Sequence, residues 1–104
     1  MIRHIVLVKF PETLPASEID DMFRELHEIK AVLGGVRSIV SGKSESPEQI
    51  ERGYMHGFVV DLDDWAALAA YQEHPDHKKL GARLVANAVG GLDGILVFDL
   101  PVAE

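Results

Sequence analysis

The stretch Ile2–Phe10, IRHIVLVKF, decides how the rest of the chain is read. It is short and rich in β-branched residues, the composition of a strand. Side chains alternate along a strand. Ile2, His4, Val6, Val8 and Phe10 therefore share one face, and Arg3, Ile5, Leu7 and Lys9 share the other. Both faces carry aliphatic residues, which implies that both are covered, at least in the middle. Pro11 cannot donate to a sheet ladder and stops the strand.

Working outward, LPASEIDDMFRELHEIKAVLGG (14–35) is a strong helix signal. Ile19, Met22, Phe23, Leu26, Ile29 and Leu33 recur at helical spacing and form one apolar stripe. Ser17 with Asp20 three residues on predicts the N-cap, and Gly34-Gly35 predict the end. Asp20, Asp21, Glu25 and Glu28 are expected to form a solvated face. A second strand is expected over Val36–Lys43, then a polar connection broken by Pro47 and Gly53, then a third strand over Tyr54–Leu62. Asp63 is expected to cap a short helix ending at His74, with Trp65 packed on the sheet edge. Pro75 suits the first turn of a new helix, so PDHKKLGARLVANAV restarts there and ends at Gly90-Gly91. DGILVFDLPV (93–102) is a fourth strand.

The order strand, helix, strand, strand, helix, strand defines an α+β class. It matches a ferredoxin-like βαββαβ subunit with a four-stranded antiparallel sheet and helices on one face. Residues 1–104 are expected to form a single domain, since no repeat or linker divides them. Ile5, Leu7, Ile39, Met55, Val59 and Leu96, or their neighbours, put apolar side chains on both faces of the sheet. A bare apolar sheet face predicts a second copy, packed sheet to sheet as a homodimer.

Composition narrows the function. The 104 residues carry a net charge of −7, which repels phosphate backbones and argues against nucleic acid as a partner. No basic amphipathic run points to a membrane surface, and the apolar N-terminal stretch is too short to span one and lacks a cleavage site. A cytoplasmic location is the resulting expectation. There is no cysteine, which excludes disulfides, thiolate metal sites and a cysteine nucleophile. No ligand spacing for zinc or calcium, no dinucleotide or P-loop glycine pattern and no nucleophile-elbow serine is found, so neither metal nor cofactor is assigned.

What remains is histidine. AYQEHPDHKKL (70–80) places Tyr71, His74 and His77 around one proline, in a chain with five histidines. An imidazole suits a general base near neutral pH. At His77, in the first turn of a helix, the dipole favours its neutral form. A tyrosine hydroxyl can hold that imidazole in one tautomer or stabilise a developing enolate. The break at Pro75 is what would fold Tyr71 and His77 onto one pocket. The plainer reading makes Tyr71 a core contact of Leu68 with its hydroxyl at the surface, His77 an exposed first-turn residue, and His74 a cap. His4 and His56 stand on strand faces otherwise lined by Val, Phe or Leu. They are pocket-wall candidates that need not touch each other.

Four segments in this order, RHIVLVKF, GYMHGFVVDL, AYQEHPDHKKL and ILVFDL, resemble the stress-responsive dimeric α/β-barrel (Dabb) family over nearly the whole chain. The resemblance implies a ferredoxin-like subunit whose dimer closes two sheets into a barrel. The family's best-understood enzyme is a plant polyketide cyclase that makes olivetolic acid by a cofactor-free intramolecular aldol condensation. Its acting tyrosine and histidine fall on Tyr71 and His77, and its pocket histidines on His4 and His56. The resemblance therefore implies catalytic roles for Tyr71 and His77. Together with the residue reading, it makes His4, His56 and His74 candidates for contact with a small carbonyl-type molecule. Two other readings stay open: a non-catalytic, stress-related ligand-binding or structural dimer, and a cofactor-independent monooxygenase on the same barrel.

Overall fold

The computed structural model describes residues 1–104. Strands β1 (Ile2–Val8), β2 (Val36–Lys43), β3 (His56–Leu62) and β4 (Ile95–Pro101) form one antiparallel sheet in the order β2-β3-β1-β4. Helices α1 (Ala16–Ile29), α2 (Trp65–Glu73) and α3 (Pro75–Asn87) lie across one face. This is the expected ferredoxin-like βαββαβ arrangement, its second helix split in two.

The core lies between that face and the helices. β1 and β3 supply Ile2, Val6, Val8, Phe58, Val60 and Leu62, all buried, and α1 supplies Ile19, Met22, Phe23, Leu26 and Ile29. Each such side chain contributes about 1.5–3 kcal/mol on leaving water. Leu33, expected to continue the α1 stripe, is only half-buried and lies beyond the helix. Ile39 of β2 opposes Val60 and joins the core.

Several boundaries differ from expectation. Helix α1 begins one residue before Ser17, with Pro15 at the cap position and no side-chain cap bond. Proline's fixed φ suits a helix entry and displaces Ser17 into the first turn. The helix stops at Ile29 rather than at the glycine pair. Gly35 instead serves the turn into β2: its φ is +83°, and a Cβ there would stand 2.8 Å from the Ala67 side chain. Asp64, not Asp63, caps α2 by accepting a hydrogen bond from the Ala67 N–H at 2.8 Å. Asp63 pairs with Arg37. Helix α3 ends at Asn87, and Gly90 and Gly91 take positive φ in the turn that follows. Trp65 is mostly exposed rather than packed on the sheet edge.

The acidic face of α1 is only partly solvated. Arg83 of α3 donates to Asp21 and Glu25 at 2.9 and 2.7 Å, and to Glu18 at 3.0 Å. This clamp joins the two long helices over the sheet.

The opposite sheet face is open in the single chain. The register sets Arg3, Ile5 and Leu7 against Leu100, Phe98 and Leu96, and places Val59 beside Ile5 and Val40. Phe98 is 58% and Val40 60% exposed. A contiguous apolar sheet face of this kind is unusual for a monomer.

Candidate active site

Pro75 is the local cause of the site. It cannot continue α2, so His74 takes an extended conformation (φ −63°, ψ 136°) and α3 starts at a new angle with Pro75 in its first turn. The His74 ring caps α3, its Nδ1 accepting from the Asp76 N–H at 3.1 Å. That occupies His74 locally, away from the cavity wall. The same break brings Tyr71 and His77 together, with ring centroids 4.5 Å apart.

His4 completes the group. It projects from the inner face of β1, buried, with its ring 5.7 Å from Tyr71 in an edge-on arrangement. Opposite it on β4 is Asp99, whose carboxylate accepts from His4 Nδ1–H at 2.5 Å. His77 Nδ1 lies 3.1 Å from the backbone carbonyl of Gln72. A carbonyl only accepts, so Nδ1 carries the proton there, and in the neutral ring Nε2 holds the lone pair. Burial favours the neutral ring and lowers the His77 pKa, and the nearby His4 acts in the same direction. The Gln72 carbonyl opposes them.

Both histidines line a cavity of about 270 Å³ between the sheet and α3, together with Gln72, Phe58, Leu84 and Val97. Tyr71 is not on its wall. The residue is fully buried behind the histidines, its hydroxyl has no hydrogen-bond partner, and burial drives its pKa upward. The hydroxyl is therefore not at the surface, as the plainer reading had it.

His56 lies elsewhere. It opposes Val8, whereas His4 opposes Val60, so the two stand four positions apart along the sheet, about 13 Å. His56 packs edge-on against Phe10 and lines a separate cavity beneath the start of α1. The structure thus joins His4, Tyr71 and His77, and leaves His56 and His74 apart. Asp99 was missed in the sequence. Its signal was an acidic residue inside the apolar run ILVFDL, which gains meaning once the register sets it against His4.

A ferredoxin-like sheet with a histidine–tyrosine cluster under its split helix defines the class, and comparison with known proteins gives the family. The family model "Stress responsive A/B Barrel Domain" (Dabb) matches residues 2–102, and the chain belongs to that family. Among curated proteins it is similar to the stress-response A/B barrel domain-containing protein HS1 of Arabidopsis thaliana, 24% identical over 98 residues that cover 94% of this chain and 86% of the relative. Among solved structures it is similar to a dimeric ferredoxin-like protein of unknown function from Jannaschia sp. CCS1, with TM-score 0.90, 34% identity, and coverage of 97% and 98% of the two chains. The hydroxynitrile lyase of Passiflora edulis shares the fold, with TM-score 0.84 at 16% identity over 99% and 94% of the chains. No helix of this chain is long and apolar enough to cross a membrane.

Proposed function

We propose that the chain is a homodimer, joined through the open sheet face, that binds a small carbonyl compound in each subunit and moves protons on it without a cofactor. His77 is the general base: its Nε2 removes a proton from the carbon next to the carbonyl, giving an enolate. The His77 imidazolium so formed returns that proton at another atom, as in isomerisation or aldol cyclisation, while His4, held in one tautomer by Asp99, presents its Nε2 lone pair to the same cavity. Tyr71 acts as a positioning residue that packs against both rings, and Gln72 fixes the tautomer of His77. His74 contributes as a helix cap and His56 lies outside this site.

One observation carries this reading. Two histidines with tautomers set by dedicated acceptors line one cavity, on either side of a buried tyrosine. Set against a cavity of about 150 Å³ that admits benzene, 270 Å³ has room for roughly ten heavy atoms. The apolar share of the wall and the absence of Lys or Arg on it favour an uncharged ligand. That a hydroxynitrile lyase is built on this fold supports an enzyme reading. The dimeric description of the Jannaschia relative supports the assembly.

The test is exchange of α-protons of small ketones and aldehydes in D₂O, followed by NMR. Exchange catalysed by the wild type and lost in a folded His77→Ala variant is expected. Full exchange in that variant would overturn the assignment of the base, and ligand binding without exchange would favour the non-catalytic dimer. For the assembly, sedimentation should give a dimer that Phe98→Glu splits, because a charge at that position would be buried unpaired.

A further inference from the structure

We propose that the second cavity, beneath the start of α1, is a separate binding site for small carboxylates with an apolar body. It measures about 540 Å³. Its walls are Phe10, Leu14, Ile19 and Met55, and its polar end is formed by His56 and Lys43.

Three observations point to the ligand's chemistry. First, the His56 ring makes no hydrogen bond: Nδ1 is buried without a partner, which leaves Nε2 as the ring nitrogen a ligand can reach. A ring nitrogen left unbonded on a cavity wall is a place where a ligand atom gains what the protein leaves unmet. Second, Lys43 is the direct cross-strand neighbour of His56, so both side chains rise from adjacent strands on the same sheet face. Third, Lys43 takes part in no salt bridge, and neither does Glu12, the remaining charged residue on the wall. The lysine charge is thus unspent beside an unpaired imidazole. Burial and the Lys43 charge both press the His56 pKa down, with Asp20 opposing, so the ring is held neutral. A neutral ring protonated on Nε2 donates one hydrogen bond and the ammonium supplies the counter-charge. One carboxylate takes both, and an aliphatic or aromatic body then covers the Phe10, Leu14, Ile19 and Met55 surface. Phe10 and Phe23 hold the His56 ring between them at centroid distances of 5.5 and 6.4 Å, which orients it in advance.

This site shares no residue with the wall of the His4–His77 cavity, and the inference does not rest on the catalytic reading. The experiment is an NMR titration of the whole protein with hexanoate, hexanol and hexylamine, observing the His56 ring and the Met55 methyl group. Saturable shifts at both with hexanoate are expected, with hexanol weaker. Lys43→Met should erase about a fivefold preference for the acid over the alcohol. Lys43 is exposed, so this variant keeps its fold. His77→Ala should leave hexanoate binding unchanged. The proposal is overturned if hexanol binds as well as hexanoate, if hexylamine binds better, if the shifts fall on His77 and Leu92 instead, or if millimolar hexanoate moves nothing.

Discussion

The two ends of the covered sheet face each present a histidine among apolar neighbours, and the two sites differ in what stands across the strand. At the β1 entry, His4 faces a carboxylate on β4 and meets Tyr71 from the helix side, which in turn meets His77. At the β1 exit, His56 faces Val8 and Lys43, with two phenylalanine rings around it and no partner for Nδ1. One imidazole is tied into a network and the other waits for a partner. A histidine on a strand face is therefore defined by register, not by the residues beside it in the sequence.

The largest expected effect that sharpens this contrast is on rate. His77→Ala should lower α-proton exchange by about 10²–10⁴-fold, the usual worth of a positioned general base. His56→Phe should leave exchange within about twofold, since that ring is outside the cavity and removing it withdraws no proton-transfer group. Equal losses in the two variants would erase the distinction between the ends.

Next comes stability. Asp99→Asn keeps the shape but removes the charge that accepts from His4, and should cost about 1–3 kcal/mol in urea unfolding. His56→Phe should be neutral or slightly stabilising by the same measurement, because it deletes a buried group that has no partner.

A smaller effect is expected at Tyr71. Its hydroxyl makes no hydrogen bond, so Tyr71→Phe should change stability by less than about 1 kcal/mol. The ring contact with His77 persists in that variant. Imidazole NMR should then show the His77 tautomer unchanged, because the Gln72 carbonyl sets it. A changed tautomer would show that the hydroxyl, not the carbonyl, orients the base.

The most modest effect is the pH dependence. Burial lowers the His77 pKa, so the acid limb of an exchange profile should lie below about pH 6.5. The same sign holds for folding. Between the lowered folded value and the unfolded value near 6.5, the unfolded chain binds the proton first. His77 thus contributes stability that is present above about pH 6.5 and lost as pH falls through its folded pKa. His56 follows the same sign. The loss attributable to it should disappear in His56→Phe, measured as urea midpoints from pH 7 downward.

Much of this fold is legible in the sequence. Alternation in IRHIVLVKF separated the two sheet faces, the β2 limits Val36–Lys43 were readable to the residue, and Pro75 marked the helix break. Caps and ends were less legible. Ser17 and Asp63 are good capping residues by type, yet Pro15 and Asp64 hold those positions. Propensity names the residue types a cap accepts, while packing of the whole helix chooses among neighbours one or two residues apart. The Asp21 and Glu25 carboxylates looked like part of a solvated face because the cation they meet, Arg83, is far along the chain.

The sequence by itself determined the element order, the apolar stripes and the presence of titratable groups around a proline, because these depend on spacing and on local backbone preference. Only the tertiary structure decided which groups meet. Antiparallel pairing of β1 with β4 set Asp99 against His4, pairing of β1 with β3 carried His56 some 13 Å away, and the angle at Pro75 laid His77 on Tyr71. Those contacts follow from strand order and register, which are settled by burying one apolar sheet face under three helices at once, and no local stretch of the chain contains that information.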